Sequence, residues 1–325
     1  MNDRPRGTEA VLLVNGRWVL PDRALLSLGP GQALVEEESS GIMAACVPAS
    51  GIDAVLAGDA TGLEPRVVEG RQLLSKPWHV RAVRDEAIRR DLGHLTGLPD
   101  GPFCATIDPS ARVHASAVLE TDQGHIVIAA GATVRPGAII IGPTYVGPGS
   151  TVVDHAVIRG PTAIGPMCKV GGEVAGTIFQ GYANKAHHGF LGDSWVGAWV
   201  NLGAGTVNSN LLNTYGEIVA QAPGGHSEPT GEQFLGAVIG DHVKTAINTR
   251  IMAGAIVGTG TMWAASAPIT GCVPAFTWAT DAGTQQFRLD KFIQTARAMM
   301  VRRNVEPSRA YVQRVEELHA SSPAQ

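Results

Sequence analysis

The sequence predicts a parallel β-solenoid built from six-residue repeats, and three observations support that prediction. An aliphatic side chain returns at every sixth position through Ile128, Val134, Ile140, Val146, Val152, Ile158, Ile164 and Val170. Small or turn-forming residues follow, as in the Val-Gly-Pro-Gly run at 146–149. The 325 residues include 40 glycines but only 5% aromatic residues. A helix needs apolar returns every three or four residues and a simple strand every two, so period six favours stacked coils of short strands.

The repeat loses its phase at two places. It resumes first at Phe190, Val196 and Leu202, and then at Ile239, Thr245, Ile251 and Val257. The step from Val170 to Phe190 and the step from Leu202 to Ile239 are not multiples of six. We expect the chain to leave the solenoid at both breaks, because insertions in solenoids tend to gather on a binding face.

The flanking segments differ from the repeat. Residues 9–48 show the pattern of short strands, with Asn15-Gly16 as a hairpin signal, and residues 77–96 show helical spacing. The tail predicts two amphipathic helices, the second opened by Pro307, which would cap the solenoid or contact another subunit. We therefore expect a mainly β protein with a small α/β domain at 1–104, the solenoid at 105–283 and a helical tail at 284–325.

Composition excludes several classes of function. The formal net charge is −4, from 25 basic and 29 acidic residues, so neither nucleic acid nor an anionic membrane is an expected partner. No apolar run is long enough to span a bilayer, and no signal-peptide core follows the N-terminus. The four cysteines lie far apart without CxxC spacing, and the histidines do not cluster, so we predict no metal site. A reducing, cytoplasmic compartment is expected.

Several motifs carry a family resemblance. The K-A-H-x-G-F-L-G run at 185–192 and the segment 200–206 resemble the acetyltransferase half of the bacterial bifunctional glucosamine-1-phosphate acetyltransferase/uridyltransferases. The GGEV segment at 171–174, the S-N-L-x-N-x-Y-G run at 209–216 and the G-D-H-x-K-x-x-I-N-T run at 240–249 resemble related sugar nucleotidyltransferase-like proteins. This resemblance implies a left-handed β-helix that assembles as a homotrimer.

The resemblance also gives the N-terminal segment an interpretation. A complete nucleotidyltransferase domain begins with a strand and a glycine-rich loop whose backbone amides bind phosphate. Here the nearest match is the Arg-Pro-Arg-Gly-Thr stretch at 4–8, with no preceding strand. Residues 1–104 are therefore expected to be a remnant of such a domain, and uridylyl transfer is not expected.

Acyl transfer from a thioester needs a base for the attacking amine or hydroxyl and donors for the carbonyl oxygen that becomes negative. The resemblance gives the base role to His187, and imidazole, with a pKa near 6.5, suits it. His188 is expected to support it within the substrate site. The resemblance places Asn201 near the acyl group or acceptor and Asn210 near the thioester donor, because an amide can orient a substrate or polarise a carbonyl.

Other residues are candidates for substrate binding. Glu173 could orient His187 or hold an acceptor ammonium, whereas Lys185 and Lys244 could meet phosphates. Each also has a simpler reading as a turn residue or as part of a solvated face. When the chain is aligned through His187, two lysines that bind sugar phosphate in the family become Ala175 and Gly216, and a sugar-contacting tyrosine becomes Phe190. This loss predicts a different acceptor.

Three hypotheses follow. The first is an acyltransferase that uses acetyl-CoA, or another thioester such as one on an acyl carrier protein, to modify an amino or hydroxyl group of a small molecule. The second is a non-catalytic solenoid that binds a sugar nucleotide or serves as a scaffold. The third is a remnant sugar nucleotidyltransferase.

Overall fold

The structure, a computed structural model, describes residues 10–99, 101–222 and 224–322; the stretch 4–8 lies outside them. The chain divides into two compact units, 1–79 and 80–325. This division precedes the predicted boundary at residue 104. The reason is that helix His79–Thr96 packs on the solenoid, where Ile88 and Leu92 form a cluster with Val127.

The first unit contains a four-stranded mixed sheet. In spatial order its strands are Ala10–Val14, Ile42–Pro48, Gln32–Glu36 and Glu64–Val68. Short helical turns occupy Arg23–Ser27, Ala49–Gly51 and Ile52–Leu56. The hairpin predicted at Asn15-Gly16 is wrong, because Ala10–Val14 pairs with Ile42–Pro48. The Asn15 side chain instead forms a local turn, accepting from Arg17 N and donating to Ile42 O.

The second unit is a parallel β-solenoid with three faces, as the predicted left-handed β-helix requires. The first face has nine strands: Ala105–Ile107, Ile126–Ile128, Thr144–Val146, Thr162–Ile164, Ile178–Phe179, Trp195–Val196, Ala237–Ile239, Ala255–Val257 and Cys272–Val273. The second face comprises Arg112–Val113, Thr133–Val134, Thr151–Val152, Lys169–Val170, Asn184–Lys185, Lys244–Thr245, Met262–Trp263, Thr277–Thr280 and the antiparallel Gly283–Gln286. The third comprises Val118–Glu120, Ile139–Ile141, Val157–Arg159, Glu173–Ala175 and Phe190–Gly192, with Val207–Asn208 and Arg250–Ile251 as a separate pair.

The repeat residues form the interior of the solenoid. All eight aliphatic positions from Ile128 to Val170 are at most 1% exposed, and complete burial of such a side chain contributes about 1.5–3 kcal/mol. The phase predicted after the first break is wrong at one position. Leu191 points inward and is fully buried, whereas Phe190 is only half-buried.

The two phase breaks have different structures. At the first, the coil shortens: Val146 pairs with Ile164, a spacing of 18, but Ile164 pairs with Phe179, a spacing of 15. The predicted extrusion is therefore wrong there. At the second break the chain does leave the solenoid, between Asn208 and Ala237, and forms a hairpin of strands Val219–Gln221 and Ser227–Pro229.

The tail forms two helices, Leu289–Val301 and Arg309–Ser321, as predicted. Their apolar sides pack on the end of the solenoid in a cluster that includes Phe276, Phe292 and Val315. The second helix begins after Pro307, because the Ser308 side chain caps it by accepting from Tyr311 N. Among the described residues, no helix is both long and apolar enough to cross a membrane.

Candidate active site

A cleft of about 420 Å³ lies along the second face, between the solenoid and the end of helix Leu289–Val301. Its lining comprises Lys169, Tyr182, Asn184, Ala186, His187, Trp199, Val200, Asn201, Met299, Arg302 and Arg303. Two of the predicted site residues, His187 and Asn201, are brought together here. We call this space the second-face cleft.

His187 and His188 occupy a tight turn of the solenoid. The turn, residues 186–189, joins strand Asn184–Lys185 to strand Phe190–Gly192. Both histidine side chains are exposed, but only His187 lines the second-face cleft. An exposed imidazole at the edge of a cleft can exchange a proton with a bound ligand.

Asn201 joins the two halves of the second face. It forms bridges with Asn184 on one side and Lys244 on the other. Its Oδ1 accepts from Asn184 Nδ2 at 2.7 Å. Because this oxygen is engaged as an acceptor, the Asn201 amide can offer N–H groups to a ligand in the cleft.

Positive charge borders the cleft. Lys169 comes from the second face, and Arg302 and Arg303 follow helix Leu289–Val301. Arg303 Nη1 donates to Met167 O at 3.2 Å, which attaches this end of the tail to the solenoid. Three cations in one concave site suit a ligand that carries phosphate groups.

Aromatic rings form part of the cleft wall. Tyr182 and Trp199 occupy equivalent left-handed positions in successive coils, with φ of 53° and 62°. Their rings stack at a centroid distance of 4.1 Å and an interplanar angle of 14°. Trp199 in turn lies parallel to the His242 ring, at a centroid distance of 6.3 Å. This column gives the cleft a rigid aromatic side.

His242 links that column to the tail. Its Nε2 lies 2.6 Å from the hydroxyl of Tyr311, on helix Arg309–Ser321. Burial lowers the pKa of His242 to about 3, so the ring is neutral at ordinary pH. The contact therefore attaches the second tail helix to the solenoid next to the cleft.

The two predicted phosphate-binding lysines do not line the cleft. Lys185 points into the solenoid, is 2% exposed, and donates to Gly171 O and His187 O. Lys244 extends the second face beyond Asn201 and donates to His242 O at 3.2 Å. Burial lowers the pKa of each lysine to about 8. Lys185 is therefore not accessible to a phosphate in this structure.

Three other candidates have partners elsewhere. Glu173 lies on the third face, where its carboxylate pairs with Arg159 at 3.2 Å instead of with an imidazole. Phe190 lies beside it in register on the same face. Asn210 donates to Asp193 at 2.7 Å.

Asp193 is the centre of an ionic cluster that binds helix His79–Thr96 to the solenoid. Arg84, 4% exposed, pairs with Asp193 at 2.7 Å, and Arg81 pairs with it at 3.2 Å. Arg84 also bonds Gly176 O, and Arg81 donates to Phe234 O. Asn210 therefore belongs to a structural cluster that attaches both the helix and the inserted segment.

No group of three or more His, Cys, Asp or Glu side chains converges on a possible metal position within 10–99, 101–222 and 224–322.

Comparisons with known proteins agree with the resemblance seen in the motifs. No protein-family model matches the chain. Over 193 residues it is 28% identical to the bifunctional protein GlmU of Cyanothece sp., covering 53% of this chain and 39% of that protein. Over 86 residues it is 35% identical to a bifunctional sugar-1-phosphate nucleotidylyltransferase/acetyltransferase of Sulfurisphaera tokodaii, covering 26% and 21%. The chain thus spans less than half the length of these relatives, and the predicted similarity to GlmU proteins is confirmed.

Solved structures also resemble this chain. UDP-N-acetylglucosamine acyltransferase of Francisella novicida matches at 14% identity and a TM-score of 0.25, covering 67% of this chain and 92% of that one. PerB of Caulobacter crescentus, solved with CoA and GDP-perosamine, matches at 14% identity and a TM-score of 0.24, covering 72% and 89%. Because both TM-scores are below 0.5, no conclusion about this chain rests on the likeness.

Sequence reasoning assigned no role to most of the cleft. Lys169, Tyr182, Asn184 and Trp199 lie at outward or corner positions whose partners are a coil away, so no local spacing marks them. Arg302-Arg303 is visible as a basic pair after an amphipathic helix. Its place beside the second face depends on how the tail packs.

Proposed function

We propose that the chain is an acyltransferase that moves an acyl group from a thioester to an amino or hydroxyl group of a small molecule. The observation that supports this most is the composition of one cleft. His187, Asn201 and three basic side chains line it together. These residues supply a base, an amide donor and a cationic border. Transfer of the acyl group directly from the thioester to the acceptor can use them without a protein nucleophile.

In this proposal the imidazole of His187 accepts the proton of the acceptor's amine or hydroxyl as that group attacks the thioester carbonyl. The carbonyl oxygen becomes negative, and the Asn201 amide N–H, oriented by Asn184, stabilises it. The tetrahedral intermediate then expels the thiolate, which takes the proton from the imidazolium. The products are the acylated acceptor and the free thiol, and His187 returns to its neutral form.

The basic border supports a phosphate-bearing donor. Coenzyme A carries phosphates at the end remote from its sulfur, and an acyl carrier protein presents its thioester on a phosphopantetheine arm. Lys169, Arg302 and Arg303 would bind such groups, while the Tyr182–Trp199 stack could hold a planar ring. Acetyl-CoA is the donor to test first.

The acceptor is proposed to differ from glucosamine 1-phosphate. Ala175 and Phe190 lie on the third face, away from the residues that line the cleft, and neither carries a charge. With Gly216 they replace the phosphate-binding and sugar-contacting groups of the family. These three positions therefore do not supply the sugar-phosphate site of the family.

A thiol-release assay tests the proposal. Purified protein would be incubated with acetyl-CoA and a panel of amino and hydroxyl sugars, amino acids and glucosamine 1-phosphate. Release of free thiol with at least one other acceptor, and not with glucosamine 1-phosphate, is expected. Robust acetylation of glucosamine 1-phosphate would overturn the acceptor claim.

A second function is favoured by the same aromatic and basic lining. Stacked rings beside three cations would also suit a sugar nucleotide held without reaction. Calorimetric binding of a sugar nucleotide, with no thiol release from any donor and acceptor pair, would favour the binding-protein hypothesis.

We also propose that the active form is a homotrimer with its clefts completed between subunits. A three-faced solenoid offers flat surfaces for a closed three-fold ring. Static light scattering at micromolar concentration should give three times the 33.9 kDa chain mass. A monomer would remove this part of the proposal.

A further inference from the structure

Lys185 occupies an inward position that the preceding coils of the solenoid fill with valine. In the inward column of the second face it pairs in register with Val170, which pairs with Val152. Leu202 continues the interior one coil later. Lys185 is 2% exposed, and a buried amine in an apolar column is costly unless its hydrogen bonds are satisfied.

The ammonium of Lys185 donates to two main-chain carbonyls. Its Nζ donates to His187 O at 2.8 Å and to Gly171 O at 3.1 Å. Among the described residues no carboxylate pairs with it, and burial lowers its pKa to about 8. The side chain thus reaches forward to the turn that carries the exposed histidines.

That turn differs from its neighbours at the same corner of the solenoid. In the turns 135–138, 153–156, 203–206 and 246–249 the third residue is left-handed, with φ of 69°, 57°, 72° and 57°. In the turn 186–189 the left-handed residue is the fourth, Gly189, with φ of 119°. The backbone around His187 therefore follows a different path.

A hydrogen bond is also replaced at this turn. At two other turns of this corner the third residue donates to the main-chain carbonyl of the second residue of the coil before, from His155 N to Pro136 O and from Asn248 N to Ala204 O. At turn 135–138 Gly137 N donates to Ser116 Oγ. The matching bond from Gly205 N to His187 O is absent from the main-chain bonds of the described residues. The Lys185 ammonium bonds this carbonyl instead.

The cause lies in the coil before. There the corner has only two residues, Gly171 and Gly172, between strands Lys169–Val170 and Glu173–Ala175. A Cβ on Gly172 would lie 2.9 Å from His187 O, so the two turns are in close contact. The four-residue turn 186–189 therefore stacks on a corner that is two residues shorter. Lys185 donates hydrogen bonds to both corners, through Gly171 O and His187 O.

We propose that Lys185 is a positioning residue, which holds the main-chain carbonyl of His187 inside the solenoid and so fixes the imidazole at the second-face cleft. This inference rests on the proposed function, in which that imidazole is the base. A misplacement of about 1 Å can cost about 10²-fold in rate, so a small movement of this turn would be visible in turnover.

The test compares Lys185→Met with Leu202→Met. Methionine keeps each side chain long and apolar, and Leu202→Met alters the buried interior one coil later without touching the His187 carbonyl. With histidines labelled at ring carbon, the signal lost in His187→Ala identifies His187. We expect Lys185→Met to shift or broaden that signal and to lower kcat about 10- to 100-fold, with KM for the thioester nearly unchanged. Leu202→Met should change neither.

The outcomes separate the two proposals. An unshifted His187 signal in folded Lys185→Met overturns the positioning role and leaves the base role intact. Full turnover of His187→Ala overturns the base role, whereas the ring signal still reports on positioning. The double variant Lys185→Met/His187→Ala should be no slower than His187→Ala, since both act through one group. If Lys185→Met does not fold, Lys185→Gln, which keeps an N–H donor on a shorter chain, should still shift the signal, and an unshifted signal would overturn the inference.

Discussion

Coils 126–170 and coils 171–208 of the same solenoid are built by different rules. In the earlier coils register partners are spaced by 18, as between Val146 and Ile164, and the residue at every sixth position is aliphatic and buried. In the later coils the spacing changes to 15 and then to 17, as Ile164 pairs with Phe179 and Phe179 with Val196. The interior there also contains Lys185.

The difference shows how a repetitive fold acquires a site. A strict period places equivalent side chains in line and produces a uniform rod, in which no coil differs from its neighbours. The shortened corner at Gly171-Gly172 breaks that equivalence, and the turn with His187 follows it directly. The cleft residues from the solenoid, from Lys169 to Asn201, all belong to this irregular part or its border.

The largest expected effect is in the irregular coils. Replacing His187 by alanine should lower turnover by about 10²- to 10⁴-fold, the usual contribution of a positioned general base. The fold should persist, because the side chain is exposed. His188→Ala is the matched control, since it is exposed on the same turn but does not line the cleft. Equal losses in both variants, measured by thiol release, would contradict the assignment.

The sequence predicts the regular coils better than the irregular ones. The six-residue period identified eight buried aliphatic residues from Ile128 to Val170, because each follows from local spacing alone. It misplaced Phe190 and left Lys185 among possible ligands, because a two-residue corner shifts which side chains point inward. The motif resemblance predicted His187 and Asn201 as site residues, and both line the second-face cleft. The sequence did not predict Arg303 as a cleft residue, because its contact with Met167 spans 136 positions of the chain.

The next effect concerns stability in the regular coils. Ile158→Ala should destabilise the protein by about 2–5 kcal/mol, because the residue is fully buried and its neighbours in the stack cannot collapse into the cavity. Turnover per folded molecule should not change, since the site lies elsewhere. The control is Arg159→Ala, whose ion pair with Glu173 is half exposed and contributes about 0–1 kcal/mol. Denaturant unfolding measures both, and equal losses would show that the interior is not close-packed there.

A smaller effect is expected at the basic border of the cleft. Arg303→Ala should raise KM for acetyl-CoA about 10-fold, because a charge-assisted bond to phosphate contributes about 1.5–3 kcal/mol. The kcat should change little, because the proposal assigns Arg303 to the donor's phosphates and His187 and Asn201 to the reacting carbonyl. Arg297→Ala provides the control, since Arg297 is on the same tail, 65% exposed, and pairs with Glu306 outside the cleft. An unchanged KM in Arg303→Ala would show that the donor's phosphates bind elsewhere.

The smallest effect is the dependence of stability on pH that Lys185 contributes in the irregular coils. The folded-state pKa of Lys185 is lowered from 10.5 to about 8, so the unfolded chain binds more protons than the native state between these values. Stability from this group must therefore rise with pH, by about 1 kcal/mol between pH 7 and pH 9. Burial raises the pKa of the Cys168 thiol to about 11, which acts in the opposite direction. Comparison with Lys185→Met cancels that contribution, because the variant retains Cys168.

Denaturant unfolding at both pH values should show the wild type gaining stability relative to Lys185→Met. A constant difference between the two proteins would mean that the amine is not held in a desolvated column.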